Sequence, residues 1–403
     1  MDKNYCIAGW ERGKDGQSGR RFEMKIVLLG VGGMGELALK DLVSSRVKQI
    51  VIADYDKGKA ESLAKAYKTR EVQVSAEFVD ANDRASLTKV MQGANVVASA
   101  IGPFSEYGVK VLKAAIEARV DFVDICDDPQ PTIDELNLHN EAKQADITAI
   151  IGMGNNPGVG NLCAKYGAQK LDEVEEIKLI WVHPAISRTG GAATLHAIGA
   201  FSGDVPSYRQ GHWVDVPAGS DKEVIDFPEP VGKVEVFHSG HPEPLTIPRY
   251  ISVKNVSCKG GIVPVWAGQE FIRFLSYGLG DTEPIKVRGV PVVPREFTVS
   301  LLESLLHRVG KDMIGGEQLT KVSRVIVKGR KDGRATSYTY DRIGNDWEAG
   351  VALAIGAQMV ASGTIAEKGV FAPEGCIEPQ EFFEELKKRG LRISEKMIAE
   401  HDL

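Results

Sequence analysis

Gly30-Val31-Gly32-Gly33-Met34-Gly35 decides the fold of this chain. It follows the apolar run Lys25-Ile26-Val27-Leu28-Leu29, which reads as a buried strand, and it opens Glu36–Val43, whose apolar residues have helical spacing. Strand, glycine turn and helix together form the context in which G-x-G-x-x-G marks a dinucleotide site. Gly30 permits the tight turn. Gly32, with Gly33 and Met34 beside it, lets a pyrophosphate approach bare main chain, and Gly35 lets the helix pack close to the strand. The positive end of the helix favours the phosphate charge.

The next element extends the pattern. Gln49-Ile50-Val51-Ile52-Ala53 reads as a second strand, and Asp54 ends it 19 residues after Gly35. An acid at that place accepts hydrogen bonds from the ribose hydroxyls of NAD and repels a 2′-phosphate. NAD is therefore the expected cofactor. Lys57 and Lys59 lie close enough to keep NADP open.

Strand-like and helical stretches then alternate to residue 151, with strands at 71–79, 95–99, 121–124 and 147–151 and helices near 57–68, 83–92, 105–118 and 131–145. Strict alternation implies a Rossmann-type, doubly wound parallel sheet, hence an α/β fold. Ligands on such sheets bind at the carboxyl ends of the strands. That rule nominates Asp80-Ala81 for the adenine side, Ser99-Ala100-Ile101-Gly102-Pro103 for the ribose and pyrophosphate, and Cys126-Asp127-Asp128 for the nicotinamide side.

Beyond Gly154 the texture is mixed. Short strands at 176–182, 232–237 and 249–258 and helices near 192–201, 267–277 and 296–309 imply a central α+β substrate domain with one antiparallel sheet. Lys331-Asp332-Gly333-Arg334 reads as a hairpin turn. The expected organisation is an extension at 1–23, a dinucleotide-binding domain at 24–155, the central domain at 156–345, and C-terminal helices at 346–403.

The chain has 403 residues and a formal net charge of −6. A mildly acidic chain without a basic block gives no reason to expect nucleic acid as a partner. No run reaches the roughly 18 apolar residues of a membrane span. Five scattered cysteines without C-x-x-C spacing point to reduced thiols in a cytoplasmic protein and away from a metal site. Cys126 reads as a small packed residue, and Trp181, Trp213 and Trp266 as packing residues.

Acid–base groups are expected in loops facing the nicotinamide. His238-Ser239-Gly240-His241-Pro242-Glu243-Pro244 holds two imidazoles between prolines, and imidazole titrates near neutrality. His241 leads, ahead of His238 and His183. Asp127 can orient an ammonium or assist proton transfer, or Asp127 and Asp128 can simply cap the next helix. In Ser187-Arg188-Thr189-Gly190-Gly191, Arg188 and the glycine amides can hold a substrate carboxylate, or Thr189 is an ordinary cap. Lys165 is a further carboxylate candidate.

Several segments together resemble the saccharopine dehydrogenase-like oxidoreductases. They are Gly30–Gly35, Ala98–Phe104, Tyr107-Gly108 with Ala114-Ala115, Asp121–Asp124, Gly154–Val159, Gly369–Glu374 and Pro379–Phe383. The resemblance implies an NAD(P)-binding domain, a central catalytic and dimerising domain, and C-terminal helices that return to the first. It implies hydride transfer at a carbon–nitrogen bond of a small amino-acid-like substrate in a homodimer. By position, Gly30, Gly32, Gly35, Asp54, Asp80, Ala100, Ile101 and Gly102 carry over as cofactor contacts. Asn155 and Asn156 stand where that group often has an acid or cysteine before Pro-Gly. An NADPH-dependent imine or opine-type reductase, a hydroxy-acid dehydrogenase and a non-catalytic dinucleotide sensor remain alternative readings.

Overall fold

The computed structural model describes residues 24–185, 191–309, 320–344 and 349–400. The expected extension at 1–23 lies outside them, as does Arg188 with Thr189 and Gly190.

The first layer is the alternating series read from the sequence. It comprises β1 (Lys25–Leu29), α1 (Gly33–Ser44), β2 (Gln49–Asp54), α2 (Lys57–Tyr67), β3 (Gln73–Phe78), α3 (Arg84–Met91), β4 (Val96–Ser99), α4 (Phe104–Ala118) and β5 (Asp121–Asp124). Then follow α5 (Pro129–Leu136), α6 (His139–Gln144) and β6 (Thr148–Ile150). The single helix expected at 131–145 is thus two, α5 and α6, bent where Leu138 N donates to Glu135 O at 3.0 Å.

A mixed region follows: α7 (Val159–Ala168), β7 (Glu173–Pro184), α8 (Gly191–Ala200), β8 (Asp204–Arg209), β9 (His212–Pro217), β10 (Glu223–Asp226), β11 (Lys233–His238), α9 (Glu243–Tyr250), β12 (Val253–Val263) and α10 (Val265–Phe274). Next come the hairpin β13 (Ile285–Val287) and β14 (Val290–Val292), then α11 (Pro294–Val309), β15 (Val322–Lys331) and β16 (Arg334–Ile343). The chain closes with α12 (Ala349–Ala361), β17 (Gly369–Phe371), α13 (Pro373–Cys376), α14 (Pro379–Lys388) and β18 (Ser394–Ala399).

The first sheet is parallel, in the order β17-β6-β5-β4-β1-β2-β3. The order reverses between β1 and β4, where a doubly wound sheet opens a ligand crevice. The seventh strand, β17, comes from the C-terminal stretch and pairs with β6. Strands buried on both faces read as continuous apolar runs, and Ile26, Val27, Leu28 and Leu29 are all fully buried. α12 packs on α1 so closely that a Cβ on Gly350 would overlap the Met34 carbonyl.

The second sheet runs β10-β11-β12-β7-β15-β16-β18, with β8 and β9 joined at β12. It is not wholly antiparallel as expected: β7 and β12 are parallel over ten residue pairs. The reason lies in the connection. α8, four strands in two antiparallel pairs (β8–β9 and β10–β11) and α9 intervene between β7 and β12, and a crossover of that length brings the chain back in the same direction. The hairpin at Asp332-Gly333 joins β15 to β16 as read. Trp181 is buried, but Trp213 and Trp266 are 52% and 54% exposed, which corrects their reading as packing residues.

Candidate functional site

A cleft of about 1800 Å³ runs from the glycine turn to the second sheet. Its floor at one end is the first crossover. Gly30 has φ +79° and donates its N–H to Ala53 O at 2.8 Å. A Cβ on Gly35 would overlap the Gly30 carbonyl, so α1 meets β1 only because that residue is glycine. Gly32 and Gly33 differ: a Cβ on either would meet nothing within 4 Å. Protein packing does not require glycine there, whereas a ligand resting on the main chain does. Gly32 caps α1 with no side-chain hydrogen bond, leaving the helix end to an anion.

Asp54 ends β2 at the cleft. Its Oδ2 accepts from Val31 N at 2.7 Å and its Oδ1 from Asp56 N at 2.9 Å, so the carboxylate is oriented by main chain on both sides. Asp80, Ala81, Ala100, Ile101, Gly102 and Pro103 line the same cleft, as does Met34. Asp80 Oδ1 accepts from Asn82 N at 2.8 Å, and Ala100 N donates to Leu29 O at 2.8 Å across the switch point. The residues expected to meet a dinucleotide therefore share one surface, apart from Gly35, which is packed beneath it. These residues fit a pyrophosphate and a ribose diol.

At the other end three sequence segments converge. Asp127 and Asp128 follow β5, His196 lies on α8, and His241 precedes α9. Asp128 Oδ1 is 2.9 Å from His196 Nδ1, and Asp127 Oδ1 is 3.5 Å from the same nitrogen. His196 Nε2 is 3.2 Å from His241 Nε2. His241 Nδ1 is 3.2 Å from Glu243 Oε2, off hydrogen-bond angle. Asn156 Nδ2 reaches Glu243 Oε1 at 3.5 Å, and the fully buried Arg342 donates to Asn155 and Asn156. A line of polar groups thus runs from the cleft into the core.

Electrostatics along this line are set by its neighbours. Burial by itself would lower the His196 pKa. The Asp127 charge and the bond to Asp128 overcome it and hold His196 at about 9. Burial acts upward on Asp128 too, but the hydrogen bond and charge of His196 keep it below the usual carboxylate range. Asp127, without such a bond, is pushed up by burial. Asp128 forms no side-chain cap on α5. Its partner is His196.

Other sequence candidates separate. His238 is buried in another cluster, 3.2 Å from Arg209 and 3.4 Å from Asp221, away from the residues that line the cleft. His183 lines the cleft. Lys165 donates to Ile377 O at 2.8 Å, a structural bond between α7 and the C-terminal stretch. Cys126 is buried, and burial raises its thiol well above the ordinary value, so it is no nucleophile. Cys163 and Cys258 are buried and free as well. His196 is the residue that sequence reading missed. Its signal was a lone imidazole in the apolar run Ala192–Ala197, without a charged neighbour.

No described helix is long and apolar enough to cross a membrane. The family model of the saccharopine dehydrogenase NADP binding domain matches residues 26–150, and that of the saccharopine dehydrogenase C-terminal domain matches residues 154–391. Carboxynorspermidine synthase of Vibrio cholerae is 25% identical over 409 residues, covering 91% of this chain and 96% of the relative. The enzyme of the same name from Vibrio alginolyticus is 24% identical with the same coverage. Among solved structures, an amine dehydrogenase from Mycobacterium smegmatis superposes with TM-score 0.47 at 10% identity, covering 89% of this chain and 97% of that one. With both of its family's domains matched in order along one chain, this NAD(P)-dependent oxidoreductase belongs to the saccharopine dehydrogenase family.

Proposed function

We propose that this protein transfers a hydride at the carbon–nitrogen bond of a small, carboxylate-bearing amine, or of the imine from which that amine forms. The observation that carries the reading is the Asp128–His196–His241 line, set in the same cleft as the dinucleotide cradle. A bound nicotinamide supplies or accepts the hydride. The chain's own residues manage the rest. His196 carries its proton at neutral pH and is held by Asp128, so it can protonate a nitrogen during reduction. In oxidation the same pair takes the proton back, and His241 offers a second imidazole across a 3.2 Å gap. Asp204, Asp215 and Glu270 also line the cleft and suit a substrate with further ammonium groups. The Vibrio relatives are named for making carboxynorspermidine, a polyamine that bears a carboxylate, which supports the same substrate class.

NAD rather than NADP is the proposed cofactor, because Asp54 presents an oriented carboxylate where a 2′-phosphate would lie. A homodimer is also proposed. Phe297, Leu301 and Leu305 form an exposed apolar stripe on α11, and the exposed β13–β14 hairpin turns Ile285, Val287 and Val290 to one face. An isolated two-stranded hairpin is marginal in water, and a second copy would cover both.

The test is a screen of secondary amines with NAD and NADP, and of carboxylated aldehydes plus diamines with the reduced cofactors, followed at the nicotinamide absorbance. Turnover of amines, with hydroxy acids inert, supports the proposal. Turnover of hydroxy acids alone overturns it.

A further inference from the structure

We propose that Arg295 forms a carboxylate-binding subsite beside Asp128 and His196, and that it selects the acid-bearing half of the substrate. The proposal rests on the carbon–nitrogen reading above and deepens it.

Arg295 stands in the first turn of α11 and lines the cleft. Its main-chain N–H donates to Asp281 O at 3.0 Å and its Nε to Gly280 O at 2.9 Å. Thr298 Oγ1 ties the next turn to Leu279 O at 2.8 Å. The stem of Arg295 is therefore fixed at two points. Gly280 abuts Ser202 so closely that a Cβ would overlap its hydroxyl, and Ser202 Oγ donates to Ile198 O of α8 at 2.6 Å. α8 carries His196, so the guanidinium and that histidine are referenced to one helix. The Arg295 charge is felt at Asp128, where it adds to the pull of His196 and His241.

With Nε engaged, the two terminal nitrogens remain. Among the described residues no carboxylate pairs with them. A planar fork with one edge free is the geometry that receives a carboxylate through two parallel N–H···O bonds. Asp127, Asp128, Asp204, Asp215 and Glu270 all line this cleft. Such a wall attracts ammonium groups and repels carboxylates, so an acid-bearing substrate is held best beside a fixed, permanent cation such as Arg295. Arg295 sets which end of the substrate lies against the histidines.

The experiment is calorimetry on the NAD-loaded protein with two probes that differ only in the carboxyl group, carboxynorspermidine and norspermidine. The wild type is expected to bind the carboxylated probe about 100-fold more tightly, because a site built for a polar group rejects the analogue lacking it. Arg295→Gln is expected to erase the difference while binding norspermidine normally. Arg295→Lys, which keeps the charge and loses the fork, is expected to fall between them, and it replaces the glutamine variant if that one fails to fold. Absence of a preference in the wild type, or a preference unchanged in either variant, would overturn the proposal. Hydride transfer is measured separately. If neither probe is oxidised while the binding preference depends on Arg295, the carbon–nitrogen reading fails and the carboxylate subsite stands.

Discussion

His196 and His241 face one another through their Nε2 atoms at 3.2 Å, edge to face, with 5.1 Å between ring centres. Two nitrogens at that separation share one proton. The pair has an ionised carboxylate at one end, Asp128, and the buried Glu243 carboxyl at the other.

Removing either imidazole should therefore slow chemistry and spare cofactor binding. His196→Gln and His241→Gln are each expected to lower kcat/KM by about 10²- to 10⁴-fold, the range for a positioned general acid or base. The double variant should be little worse than the worse single one, because groups acting as a unit are not additive. Steady-state kinetics, with NADH affinity from fluorescence titration, checks this. Unchanged turnover in His241→Gln would remove that residue from the mechanism.

The glycine turn separates packing from binding. Gly35→Ala drives a methyl into the Gly30 carbonyl and is expected to cost ~1–3 kcal/mol or more, since backbone yields poorly to overpacking. Gly33→Ala meets open space and should leave the melting temperature within a degree or two, yet weaken NADH binding about tenfold or more. Thermal melts paired with titration distinguish the two. Equal losses of stability would contradict the assignment.

Asp54 is expected to govern cofactor choice. Asp54→Ser should reduce the preference for NADH over NADPH by about tenfold or more, as the repulsion of a 2′-phosphate disappears. Some NADH affinity will be lost as well, because Val31 N and Asp56 N lose their acceptor. The ratio of the two dissociation constants is the readout.

Beneath the 125–128 loop lies a buried carboxyl pair, Asp124 and Glu135. Asp124 Oδ1 accepts from Cys126 N at 3.0 Å and from Gly152 N at 2.8 Å, fixing the start of the 125–128 loop. Burial raises Asp124 to about 6, while burial and the neighbouring Asp124 raise Glu135 well above the ordinary range. A carboxyl whose folded pKa is raised holds its proton above pH 4, where the unfolded chain releases it. Stability is therefore lost as pH rises from the unfolded value through the folded one. Glu135→Gln keeps a neutral side chain of the same size. It is expected to flatten this decline, so that the variant gains stability over the wild type at pH 8 relative to pH 4. Denaturant melts across that interval test the sign.

The proposed dimer has a direct test in light scattering. Leu301→Glu with Phe297→Glu should convert a dimer to monomer, since a charge in an apolar interface is costly. A wild-type monomer would dismiss the interface.

The legibility of the site follows the range of its interactions. The cofactor end was readable because Gly30, Gly35 and Asp54 do their work within one strand–turn–helix–strand unit. The parallel pairing of β7 with β12 was not, because it depends on how a long excursion returns. β17 was missed because three residues, Gly369–Phe371, find their partner only at β6. At the other end of the cleft, Asp127 and His241 were visible as polar residues in loops. His196 was not, since its partners lie 68 residues before it and 45 after. Glu243, read as part of a proline-bound loop, begins a helix and is fully buried.

The measurement that bears most directly on the central claim is the pH profile of kcat/KM for amine oxidation, compared between the wild type and Asp128→Asn. Oxidation needs His196 free of its proton, so activity should rise with pH through a limb near 9. Loss of the Asp128 charge should carry that limb down toward the ordinary imidazole value near 6.5. A limb that stays in place in the Asp128→Asn enzyme would contradict the account.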